Sequence, residues 1–109
     1  MDPAKLEKDG VVVTTHEVSS EAICVVLDHD TMTLAGMLPG DELVCEPLGK
    51  KQPRTNAIIA YYDGGVCAGR FFAPFIIPAS SNAAHKPVSV SNVHVIGKVV
   101  QQIRIVEPV

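Results

Sequence analysis

With 109 residues, 47% of them apolar, the chain has the size of one domain and the means to bury a core, which excludes two ordinary domains and a disordered chain. A net charge of −3 argues against a free-standing nucleic-acid binder, because phosphate contact needs a basic surface. Lys5, Lys8, Lys50, Lys51 and Arg54 are local exceptions, and they read as a solvated tail and a solvated loop rather than as a groove.

Residues 1–9 form a polar lead-in without the apolar stretch of a signal peptide, and 10–109 is expected to be a single domain. Helical periodicity is nearly absent, while short β-rich runs alternate with turn residues. "VVVTT" (11–15) reads as a first strand. "EAICVVLD" (21–28) is continuously apolar at its centre, which predicts a strand covered on both faces. A short helical turn is expected near 32–37. "DELVCEP" (41–47) is a strand that starts after the Pro39-Gly40 turn and stops at Pro47, and "LGKKQPR" (48–54) is a polar loop. "NAIIAYYDGGVCAGRFF" (56–72) is a hairpin, its turn supplied by Asp63-Gly64-Gly65, residues that tolerate positive φ. "FIIPASSNAAHKPVSV" (75–90) is two short strands around a loop.

"NVHVIGKVVQQIRIV" (92–106) is the longest strand. Val93, Val95, Val99, Ile103 and Ile105 fall on one face and His94, Lys98, Gln102 and Arg104 on the other, the mark of a half-buried strand. Gly97 in its middle predicts a bulge or bend. As the last strand it is also expected to be an edge, and an apolar edge invites a second copy. Val99, Gln101, Ile103 and Ile105 are therefore the candidates for an oligomer interface. The fold class is mainly β, with at most a short helical turn.

The three cysteines, Cys24, Cys45 and Cys67, each lie in an apolar run without a C-x-x-C partner, which predicts buried, reduced thiols in a cytosolic protein. No apolar run approaches the length of a membrane span. The stretch "DHDTMTLAGMLPGDELV" (28–44) carries the densest chemistry. Thr31 would need a base to act as a nucleophile. His29, with Asp28 or Asp30 behind it, offers only a superficial triad, since real triads usually gather from distant segments. Metal binding by Asp28, His29 and Asp30 is equally weak, even with His85 or His94 as partners, so no metal or cofactor is expected.

"DTMTLAGMLPGDELVCEP" resembles the segment of LexA-type repressors, UmuD-type proteins and lambda-type CI phage repressors that carries their catalytic serine. Thr31-Met32 is followed nine residues later by Gly40-Asp41, the spacing of that family's Ser-Met and Gly-Asp. The 56–72 hairpin is similar to the family's next hairpin. "PASSNAAHKPVSV" is similar to its Pro-x-Asn-x-x-Tyr-x-Pro segment, with Asn82 and Pro87 in register and His85 near the aromatic position. "VHVIGKVVQQIRIV" resembles its closing strand. The likeness runs from about residue 22 to 106 and implies compact, strongly bent antiparallel sheets of the LexA C-terminal-domain type.

By the same resemblance the serine nucleophile falls on Thr31 and the lysine base on Gly69, with Arg70 at the basic residue that often follows. Glycine takes no proton, and arginine stays protonated. The Ala-Gly or Cys-Gly bond that the family cleaves is absent from residues 1–21, while Ala35-Gly36 and Ala68-Gly69 lie inside the expected core. The resemblance therefore implies no enzyme but the dimerisation and regulatory domain of a prophage-type transcriptional repressor. It would bind itself in the cytoplasm of a bacterial host and reach DNA only through a helix-turn-helix domain not in this chain. An antirepressor protein is a further expected partner, with Phe71, Phe72 and Phe75 as a candidate patch, although the same residues suit a core strand. Two other readings stay open: a self-cleaving domain using Thr31, and an unrelated small β-barrel binding module.

Overall fold

The computed structural model describes residues 11–14 and 21–105, with side chains from 21 to 104. Eight strands run β1 (Val11–Thr14), β2 (Ile23–Val26), β3 (Glu42–Glu46), β4 (Ile58–Tyr62), β5 (Val66–Phe72), β6 (Phe75–Ile77), β7 (Val88–Ser89) and β8 (His94–Ile105). All their pairings are antiparallel. The helical content of the described residues is two 3-10 turns, Thr33–Ala35 and Val90–Asn92, the first of them inside the expected 32–37 window. The mainly β expectation holds. No helix of the described residues is long and apolar enough to cross a membrane.

The sheet runs β2-β3-β8-β4-β5-β6-β7, with β1 also on β8. β8 is therefore its central strand, which corrects the expected edge. β3 pairs along residues 98–103 of β8, while β4 takes 94–98 and β1 takes 102–105 in tandem on the opposite side. Side-chain alternation reports which faces are covered, and an edge is a matter of backbone bonds, so the pattern could not tell the two apart. Val99, Gln101, Ile103 and Ile105 thereby lose the edge that made them interface candidates. Val99 packs against the core, Gln101 is buried and Ile103 is half-buried on an inner strand, and the side chain of Ile105 lies outside the described residues.

The regular alternation expected along β8 is also broken. Ile96 is an extra residue against β4, and Val100 is an extra residue against β3. Each bulge shifts the alternation by one residue. Val93 and Val95 thus pack on one cluster, with Ile59, Tyr61, Cys67, Phe71 and Ile76. Ile96 and Val99 pack on a second, with Leu27, Met32, Met37, Leu43, Cys45, Ala60 and Ala68. Gly97 lies between the bulges, and a Cβ there would run into the Glu46 carbonyl. The strand that the sequence suggested was covered on both faces, β2, is in fact exposed at the end of the sheet. Ile23 and Val26 are 45% and 49% exposed, and Cys24 is exposed as well, against the expectation of buried thiols that Cys45 and Cys67 do meet.

Candidate functional site

The 28–31 segment lies against β5 for a reason set by register. Even-numbered residues of β5 turn their amides away from β4, and β6 covers that side only from Arg70 to Phe72. Val66 and Ala68 are left for another partner, and residues 28–31 supply it. The Asp28 and His29 amides donate to the Val66 carbonyl at 2.9 and 3.2 Å. The Val66 amide donates to the Asp28 carboxylate at 2.7 Å, and the Ala68 amide donates to Thr31 Oγ1 at 3.1 Å. Leu27 and Met32, on either side of the segment, are fully buried in the core. Burying such a side chain contributes about 1.5–3 kcal/mol each, which holds the segment in place.

The opposite side of the segment is closed by residues 79–85. The Ala79 amide donates to the Thr31 carbonyl at 2.9 Å, and the Leu34 amide donates to the Ala79 carbonyl at 2.8 Å. The Ser80 hydroxyl donates to the Asp30 carbonyl, and the Ser81 amide donates to Thr33 Oγ1 at 3.0 Å. Asp30 receives His85 Nε2 at 2.5 Å and Asn82 Nδ2 at 3.4 Å. The His85 hydrogen bond holds the Asp30 carboxyl below its ordinary range; Asn82 adds to this and burial opposes it.

No protein-family model matches the chain, and no curated protein matches it significantly.

The geometry sorts the residues singled out in the sequence. Thr31 is only 3% exposed, and among the described residues its hydroxyl is bonded by the Ala68 amide alone. His29 does not turn to it. Its Nε2 lies 3.4 Å from the Gly64 carbonyl, with the ring packed on Gly65 of the hairpin turn. The Asp28 carboxylate is committed to Val66, so no local Asp-His-Thr triad forms. His85 joins Asp30, while His94 lies at the start of β8 opposite Tyr62. The described residues contain no group of three or more His, Cys, Asp and Glu able to hold a metal.

An open cleft of about 270 Å³ lies beside Thr31, lined by His29, Tyr61, Asp63, Cys67 and His85 among others. Its thiol is unsuited to nucleophilic work. Burial pushes the Cys67 thiol up to about 11, so it stays protonated near neutral pH. Burial likewise raises the Tyr61 phenol.

Gly69 is buried in β5, one residue beyond the amide that binds Thr31. A Cβ there would meet Ile76 Cγ2 at 2.6 Å and the Ile77 carbonyl at 3.1 Å. β6 therefore fills the space into which a longer side chain would grow.

Sequence reasoning missed the second half of the Gly40-Asp41 motif. Gly40 adopts φ +96 in a turn closed by the Asp41 amide on the Leu38 carbonyl, a conformation that favours glycine. The turn aims a buried Asp41 carboxylate at β8. There it receives Arg104 Nε at 2.9 Å and Nη2 at 2.7 Å, Gln102 Nε2 at 2.8 Å, and the Leu38 amide at 2.9 Å. Arg104 and Gln102 also donate to the Gly36 carbonyl. Burial raises the Asp41 carboxyl, but the bonds from Arg104, Leu38 and Gln102 outweigh it and leave the group below its ordinary value. The one sequence signal was that Gln102 and Arg104 share the polar face of the last strand.

The aromatic patch divides. Phe71 is 3% exposed and belongs to the core, which removes it from the partner patch, because it points inward from the central part of the sheet. Phe72 and Phe75 are exposed and stand opposite each other across β5 and β6.

Proposed function

We propose that the chain is the oligomerisation and regulatory domain of a prophage-type transcriptional repressor that does not cleave itself. The observation that carries this reading is the bond from the Ala68 amide to Thr31 Oγ1, next to Gly69. Thr31 and Gly69 are the two positions that the sequence resemblance pairs as nucleophile and base, and they are neighbours in space as well. The pairing supports the resemblance, and the chemistry of the pair supports the loss of cleavage. A threonine hydroxyl needs a proton acceptor to attack a peptide bond. Glycine provides none, and Ile76 occupies the space a base would need.

DNA would be engaged through a helix-turn-helix domain outside these 109 residues, with the present domain joining two such heads. Linking weak heads raises their effective local concentration without any new base contact. The second copy would add to the β2 end of the sheet, and an antirepressor protein would reach the exposed pair Phe72 and Phe75. The test of the catalytic half is incubation of the purified protein at alkaline pH followed by mass spectrometry. The intact mass is the expected result. A discrete internal fragment that disappears in Thr31→Ala would make the chain a self-cleaving peptidase instead.

A further inference from the structure

An open cleft far from Thr31 in sequence is walled by the 46–57 segment and β8. It holds about 660 Å³, within the usual range for ligand sites of roughly 300–1,000 Å³. Lys51, Arg54 and Lys98 line it, against one carboxylate, Glu46. Among the described residues the ion pairs are His85–Asp30 and Arg104–Asp41, so none of these three cations has a carboxylate partner among those residues. Lys98 stands opposite Glu46 in the β3–β8 register without closing an ion pair on it. Lys51 and Arg54, which read in the sequence as a solvated loop, are thus part of a groove. Their grouping is unexpected in a chain of net charge −3, whose field would repel an acidic ligand elsewhere.

A second cleft of about 470 Å³ lies across the same segment and shares Pro47, Leu48, Lys51, Gln52 and Pro53 with the first. Phe71, Val90 and Val95 make it apolar. A basic groove and an apolar groove therefore run side by side over one loop.

We infer that these grooves together bind an acidic peptide segment of a partner protein, its carboxylates on Lys51, Arg54 and Lys98 and an aliphatic side chain against Leu48 and Val95. Charge complementarity selects the acid, and the apolar half selects a peptide over a bare anion. A nucleic acid fits less well, because no aromatic ring lines the basic groove to stack a base. The site is separate from the Thr31 cleft, and its occupancy does not depend on the repressor reading.

The experiment is a titration of the isotope-labelled chain with a hexapeptide of four acidic residues and two leucines, followed by amide chemical shifts. The expected result is a response confined to residues 46–57 and the neighbourhood of Lys98, weakened by added salt. The double variant Lys51→Glu, Arg54→Glu changes two exposed side chains and should keep the native spectrum while losing affinity by about tenfold or more. Replacing the peptide's acids by glutamine should weaken binding to a similar degree. No response, or a response unchanged by the charge reversal, overturns the proposal. So does tighter binding of pyrophosphate or of a ten-nucleotide oligothymidine at the same residues, which would make the groove a phosphate or nucleic-acid site.

Discussion

Thr31 ties the 28–31 segment to β5 through its side-chain hydroxyl. Its hydroxyl completes a strand edge that β6 leaves open, accepting from an Ala68 amide that would otherwise be buried without a partner. Thr31→Val keeps the shape and removes the acceptor. Leaving a buried donor unsatisfied costs about 1–3 kcal/mol, so urea unfolding should show a loss of that size, with Thr31→Ser recovering most of the bond. Asp41 makes a second residue-scale prediction, about pH. Its carboxyl sits below the ordinary value in the folded chain, so the stability it contributes is present above the unfolded pKa, about 3.9, and is lost as pH falls through the folded one. Acid unfolding followed by circular dichroism should therefore show a falling limb below about pH 4. Asp41→Asn should flatten that limb and lower stability at neutral pH by about 1.5–3 kcal/mol, since the bonds lost are to charged groups.

At the scale of elements, β8 carries the fold through two bulges and one glycine. The Gly97 backbone approaches the Glu46 carbonyl so closely that any side chain must displace β3 or β8. Gly97→Ala should destabilise the domain by about 1–3 kcal/mol, the usual range for overpacking a tight site, and amide exchange should rise first along residues 42–46 and 98–103. Much of this element was legible in the sequence: its approximate span and length follow from apolar spacing, and the bulge beside Gly97 from one glycine. Its neighbours were not legible. Pairing is decided by backbone hydrogen bonds between distant segments, and Val93, Val95, Val99, Ile103 and Ile105 would look the same on an edge or in the middle of a sheet. The same gap misplaced β2. A continuous apolar run suggests cover on both faces, yet Ile23 and Val26 are exposed. At the site, Thr31, Gly69 and Gly40-Asp41 were singled out through the resemblance to the LexA-type segment. The partners they meet, Ala68, Ile76 and Arg104, come from other segments, and only Arg104 left a trace, on the polar face of the last strand.

For the whole molecule, the sheet buries apolar side chains on both faces, and the exposed large apolar residues lie on β2 (Ile23, Val26), near the first 3-10 turn (Leu34, Leu38), at the end of β4 (Tyr62) and on the β5–β6 hairpin (Phe72, Phe75). Among the described residues β2 pairs only with β3, and it carries Ile23, Cys24 and Val26 into solvent. An apolar strand with a free row of backbone groups is a template for another strand. A closed twofold pair is the commonest way for a soluble chain to use one. Addition of β2 to β2 of a second copy would continue the sheet across the dimer and cover Ile23 and Val26 together. Sedimentation velocity should then show a dimer at tens of micromolar, the range in which an interface of about −6 kcal/mol is populated. Val26→Lys places a charge on that margin while leaving both core clusters untouched, so it should give a folded monomer with an unchanged circular dichroism spectrum. A dimer that survives Val26→Lys would move the contact away from β2, and the exposed Phe72 and Phe75 would then be the next surface to alter. A wild-type chain that stays monomeric throughout this range would remove self-association from the proposed function.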